Sequence, residues 1–106
     1  MHFSINNKIF NHIANSPNFI FKNEISFMSR KYNHFALGFI IPKSLGAASL
    51  RNLFKRRCRA VLQHLNSNNH LPSFGVVIKP KTININYHNI NKSIRLWFDS
   101  IVENPS

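Results

Sequence analysis

Residues 35–63 read FALGFIIPKSLGAASLRNLFKRRCRAVLQ, and the fold turns on how this stretch divides. Its first part, FALGFII, is a short apolar run bounded by polar residues and by Pro42, the pattern of a buried strand. KSLGAAS is a turn of small residues leading into a long helix, expected from about Ala47 to Leu65. At about 100° per residue, Leu50, Phe54, Cys58, Val61 and Leu65 fall on one stripe, with Leu53 at its border. That stripe is expected to pack on a sheet. The turn formers of HLNSNNHLPS, residues 64–73, are expected to end the helix.

The flanking sequence extends the pattern in both directions. Downstream, FGVVIK at 74–79 has the character of a second buried strand, closed by Pro80. Residues 88–102 then carry Ile90, Ile94, Trp97, Phe98 and Ile101 at helical spacing, which predicts a final helix. Upstream, residues 19–29 are extended in character, with a break near Lys22 and Asn23. Residues 5–15 place Ile5, Ile9, Phe10 and Ile13 at helical spacing, and Ser16 and Pro17 stop that helix. No internal repeat or linker divides the 106 residues, so a single domain over 1–106 is expected. The expected architecture is α+β, a two-layer α/β sandwich in the order α-β-β-(β)-α-β-α, with a parallel strand pair flanking the long helix.

Charge bounds the function. Fourteen Lys and Arg stand against three acids, a formal net charge of +11. The acids are Glu24, Asp99 and Glu103, so residues 25–98 contain none. Such a stretch repels itself unless it meets a polyanion, and a basic single domain favours nucleic acid over an anionic membrane or an acidic protein. No apolar run approaches the ~20 residues of a membrane span. The first residues lack the continuous apolar stretch of a signal peptide, so a cytoplasmic setting is expected. One cysteine, Cys58, excludes an intrachain disulfide and a cysteine-built zinc site. It lies on the flank of the apolar stripe as a small apolar filler. His2, His12, His34, His64, His70 and His88 show no compact ligand spacing, so no metal held by the protein is expected. Without a carboxylate pair there is little here for general acid–base chemistry.

The candidate site is the outer face of the long helix. Arg51, Lys55 and Arg59 form an i, i+4, i+8 line, with Asn52, Arg56 and Gln63 beside it and no acid among them. Ordinary solvated faces mix Glu with Lys, and stacked like charges cost a helix a few tenths of a kcal/mol per pair. A phosphate backbone offsets that cost, and the planar fork of arginine donates two hydrogen bonds to one phosphate. Arg57 falls near the apolar stripe and has two readings. It lays its stem along the core edge, or it reaches a second RNA surface.

The stretch at 35–63 resembles the signature region of the bacterial ribonuclease P protein family. That family has a strand ending in a Lys-containing turn, then Gly, then a helix with an Arg-Asn-Arg triplet, a Lys-Arg pair and a further Arg. Carried over by position, the turn lysine is Lys43 and the glycine Gly46. Arg51 and Asn52 match the first two triplet members, and Lys55, Arg56 and Arg59 the later cations. The third triplet member is Leu53, a departure that removes one expected RNA contact. Ser44 and Ala47 also replace residues that are usually polar or basic. FGVVIKP is similar to the strand after the motif helix, the helix around Trp97 to the C-terminal helix, and KIFNHIA to the start of the N-terminal helix. Phe10 stands at an aromatic position of that helix, and Ala14 where a second aromatic is common.

The resemblance implies a left-handed βαβ crossover, whereas general rules favour a right-handed one. It implies that Lys43, Arg51, Asn52, Lys55, Arg56 and Arg59 bind the catalytic RNA of ribonuclease P. It implies an accessory subunit of an endoribonuclease that removes the 5′ leader of precursor tRNA, with the active site and its Mg²⁺ in the RNA. A cleft between sheet and N-terminal helix is then expected to take the single-stranded leader. Phe10, Phe27 and Phe39 could stack bases there or simply be core. Phe10 and Phe27 are the candidates for the cleft, flanked in sequence by Lys8, Lys22, Arg30 and Lys31. The alternative function is a ribosome-associated or other non-catalytic nucleic-acid-binding module.

Overall fold

The computed structural model describes residues 7–14, 18–22, 24–69 and 71–103. His2, Ile5, Asn15, Ser16, Pro17, Asn23 and His70 lie outside the described residues. Among the described residues the elements are α1 (Asn7–Ala14), β1 (Asn18–Phe21), β2 (Ile25–Lys31), β3 (Ala36–Phe39), a 3₁₀ turn (Lys43–Leu45), α2 (Ala48–Asn69), β4 (Phe74–Pro80) and α3 (Tyr87–Glu103). The order matches the expected one, with three strands before α2.

The strands form one sheet in the order β1-β2-β4-β3. The chain's last strand is therefore inserted between two earlier ones. It runs antiparallel to β2, with Met28 opposite Val77, and parallel to β3, with Gly38 opposite Val77. The β3-α2-β4 crossover supplies the expected parallel pair. Five consecutive residues of β4, Phe74 to Ile78, are buried, as a central strand covered on both faces requires.

Strand alternation sorts side chains between the two faces. One face carries Ile25, Phe27, Leu37, Phe74, Val76 and Ile78, which join α2 and α3 in the main core. Phe27 stacks on Trp97 of α3 with ring centroids 5.8 Å apart, and the Trp97 Nε1–H donates to Ser29 Oγ at 3.2 Å. The other face carries Met28 and Val77, which form a smaller cluster with Ile13 of α1, backed by Phe10 and Ile40. Two helices thus cover one face and a short helix covers part of the other.

The helix ends have local causes. Asn86 caps α3, its Oδ1 accepting the Asn89 N–H at 2.8 Å. At the other end of the connection, α2 runs through Asn69 rather than stopping near Leu65. Within its added turn, Ser67 Oγ donates to the Gln63 carbonyl at 3.1 Å. The Leu71 N–H then reaches Asn66 Oδ1, also at 3.1 Å. The turn-forming side chains of this segment bond back to the helix instead of breaking it.

One expected core position is overturned. Leu50 is 52% exposed, whereas Phe54, Cys58, Val61, Leu62 and Leu65 are buried. The buried stripe is rotated towards Leu62, and Leu50, in the first turn of α2, lies at the surface beside Leu45 and Ile83. Cys58 is core as expected, and burial pushes its thiol well above the ordinary cysteine range, only partly opposed by the neighbouring Arg59 charge.

Two glycines set close approaches. Gly46 adopts φ 155°, ψ −178°, a region that glycine alone occupies comfortably, and an added Cβ would lie 2.8 Å from Ile83 Cδ1. At Gly75 the Ile13 side chain occupies the place of a Cβ, so α1 is seated by the missing side chain. We expect Gly46→Val and Gly75→Val each to destabilise the fold by about 1–3 kcal/mol, the range for backbone strain or overpacking. Denaturant unfolding measures this. Wild-type stability for Gly75→Val would show that α1 is not held by this contact.

Candidate nucleic-acid interface

The 3₁₀ turn delivers the chain from β3 into α2 and presents the first cation. Lys43 is exposed, and its carbonyl accepts the Gly46 N–H at 3.3 Å. Arg51, in the first turn of α2, folds back so that its Nε–H donates to the Gly46 carbonyl at 3.1 Å. The residue expected to open the RNA-binding line thus also fastens the turn, and it is half-buried rather than free.

Helix geometry divides the remaining surface of α2 into three strips. Along the β3 side run Arg51, Lys55 and Arg59, of which Lys55 is half-buried and Arg59 exposed. Arg59 is not idle in this position. Its guanidinium lies 5.4 Å from the centroid of Phe39, whose ring in turn meets Phe54 edge-on. Such a cation–π contact contributes about 0.5–1 kcal/mol at an exposed site and limits the directions the guanidinium samples. Along the outermost strip lie Asn52, Arg56, Ala60 and Gln63, all exposed. With Arg59 they line a shallow depression of about 450 Å³.

The third strip faces the connection between β4 and α3. Here Leu50, Leu53 and Arg57 share an open cavity of about 490 Å³ with Leu45, Ile83 and Asn84. Arg57 Nη1 donates to the Ile85 carbonyl at 3.2 Å. Of its two readings, this geometry favours a stem laid along the core edge, tying α2 to the segment before α3. The six residues expected to bind RNA therefore lie on the turn and on two adjoining strips of one helix. Arg57 and Leu53 point away from them.

The expected pairing of Phe10 with Phe27 is overturned. Phe27 is 1% exposed and lies between the sheet and α3. Its position in β2 has the wrong parity for the α1 face, since Met28 is the residue that points there. Phe39 likewise turns toward α2. Phe10 is half-buried at the edge of the smaller cluster, as a residue bordering the α1 side of the sheet should be.

What accompanies Phe10 on that face follows from the register. Ile20 lies opposite Ser26, which lies opposite Lys79. Ile40, just past β3, bonds through its N–H to the Ile78 carbonyl at 3.0 Å, which puts it beside Lys79. This row crosses the sheet next to the part that α1 covers. Ile20 is 56% exposed, Lys79 is exposed and Ser26 half-buried. Nothing in the sequence singles out Lys79 and Ile20, because strand register and facing are set by pairing with distant strands. Lys8, Lys22, Arg30 and Lys31 are exposed as well. Among the described residues no three His, Cys, Asp or Glu side chains come together as metal ligands, and no helix is long and apolar enough to cross a membrane.

A family model described as Ribonuclease P matches residues 5–102. No curated protein matches the chain by sequence. Among solved structures, the RNase P protein of Staphylococcus aureus is similar at a TM-score of 0.77 and 20% identity, over 94% of this chain and 95% of that one. A mutant of the S. aureus protein with defective mRNA degradation activity gives 0.78 at 20% identity, over 94% and 88%. The RNase P protein of Thermotoga maritima gives 0.76 at 17% identity, over 92% and 96%. At such identities these structures speak for the fold, while the family model speaks for descent over nearly the whole sequence. The chain belongs to the family of bacterial ribonuclease P protein components.

Proposed function

We propose that α2 and the turn before it bind the catalytic RNA of ribonuclease P, and that the open half of the sheet beside α1 takes the single-stranded 5′ leader of precursor tRNA. The observation that carries the first part is the acid-free face of α2. Arg51, Lys55, Arg56 and Arg59 lie together with Asn52, and α2 contains no Asp or Glu to neutralise them. Lys43 extends the positive surface across the turn. In the absence of internal counter-charges, the partner that relieves the repulsion is a dense anion such as folded RNA.

For the second part, the support is the combination of exposed apolar surface with cations. Ile20 and the edge of Phe10 offer platforms for unpaired bases, and Lys79 and Arg30 lie on the same face for the backbone. Both parts give the protein binding and positioning work, with the metal-dependent cleavage chemistry residing in the RNA subunit.

The direct test adds the chain to ribonuclease P RNA at low Mg²⁺ and follows cleavage of precursor tRNA. Cleavage should rise, and no change would sink the assignment. In the same system Lys55→Ala and Arg56→Ala should weaken RNA binding at unchanged melting temperature. The slope of log affinity against log salt should fall by about 0.7–0.9 for each phosphate that the variant no longer neutralises. Arg51→Ala should weaken binding and also lower the melting temperature, because its bond to Gly46 is removed. Unchanged affinity and slope in all three variants would remove this face from the interface.

Leader binding makes a separate prediction. Phe10→Ala and Lys79→Ala should weaken holoenzyme binding to precursor tRNA with a long leader more than to one with a one-nucleotide leader. Equal weakening of both substrates by Phe10→Ala, with the fold intact, would assign Phe10 to the core alone.

A further inference from the structure

We infer that the depression on the outer face of α2, floored by Ala60, seats a single nucleotide of the RNA and reads its base or ribose edge, so that this face contributes selectivity as well as charge. The inference rests on the reading that α2 binds RNA.

The residues around the depression differ in chemistry in a way that phosphate binding alone does not need. Arg56 and Arg59 are cationic forks suited to phosphate. Asn52 and Gln63 are neutral amides that add no charge, and beyond a donor for phosphate each presents an acceptor as well, the pair that matches the edge of a base or a 2′-hydroxyl. Ala60 stands among these four long side chains at helical spacings of eight, four, one and three residues. Its methyl group creates the recess, and all five residues are exposed.

Order in the walls also favours a defined ligand. Arg59 is held from behind by the Phe39 ring at 5.4 Å, and Phe39 is itself braced by Phe54. One wall is thus oriented before RNA arrives, which lowers the ordering cost of binding. The depression opens to solvent along the helix, so a nucleotide of a bound strand lying there meets both guanidinium groups and both amides.

The test separates filling the recess from removing charge. Ala60→Leu fills it and Gln63→Ala removes one amide, and neither alters a cation. Both should bind ribonuclease P RNA about tenfold more weakly, within the range for removal of a base-edge hydrogen bond. The salt slope and melting temperature should match wild type, and affinity for an unrelated RNA duplex of equal length should be unchanged. Wild-type affinity of Ala60→Leu for ribonuclease P RNA, or equal weakening on both RNAs, would overturn the inference. Arg56→Ala distinguishes the two levels. If it lowers affinity and slope while Ala60→Leu does nothing, only the nucleotide seat fails. If Arg51→Ala, Lys55→Ala and Arg56→Ala are all without effect as well, the RNA-binding reading of α2 fails with it.

Discussion

The structure depends on β4 lying between β2 and β3. This strand arrives late in the chain, yet it pairs with both, and each of its residues from Phe74 to Ile78 is buried. A one-residue slip in its register would exchange the two faces, sending Val76 and Ile78 toward α1 and Val77 into the α2–α3 core. Both faces are packed, so the slip is penalised on both sides. Its parallel pairing with β3 makes β3-α2-β4 a crossover over one face of the sheet, and so it fixes where the basic helix lies.

The two faces of the sheet are closed to different extents, and that difference has a packing cause. On one face, α2 and α3 bury Phe27, Val76, Ile78 and Trp97 in a continuous core. On the other, α1 spans eight residues among those described and sits down through Ile13 into the space left by Gly75. Met28 and Val77 pack against Ile13 of this short helix, while Ile20 and Lys79, in the neighbouring row of the same face, are exposed.

Charge and packing are coupled along α2. Arg51 bonds the Gly46 carbonyl, Arg57 bonds the Ile85 carbonyl, and Arg59 lies over Phe39. Three of its cations therefore act on the protein itself. Anchored guanidinium groups lose less freedom on meeting a phosphate than free ones. Arg56 has the opposite character, exposed on the outermost strip and directed to solvent. Backbone carbonyls and an aromatic ring thus orient Arg51, Arg57 and Arg59 without neutralising the acid-free face.

The order of elements was legible in the sequence because each carries its own periodicity. The apolar runs at 35–41 and 74–79 have the length and bounds of strands in a covered sheet, and the spacing around Trp97 is that of a helix with one buried side. The cations of α2 were legible for the same reason, since helical spacing alone places Arg51, Lys55 and Arg59 in line. What the tertiary structure decided was which face each residue meets. Phe27 has the composition of a stacking platform, but its parity in β2 sends it against Trp97, a fact set by pairing with β4 some fifty residues away. Leu50 continues the apolar stripe in the sequence, yet it lies exposed at the start of α2 beside Leu45 and Ile83. Arg57 is settled by the carbonyl of Ile85, contributed by a segment that no local pattern brings to α2. Periodicity is a property of neighbouring residues and survives in the sequence, whereas facing depends on which distant strand or carbonyl arrives, and only the assembled fold fixes that.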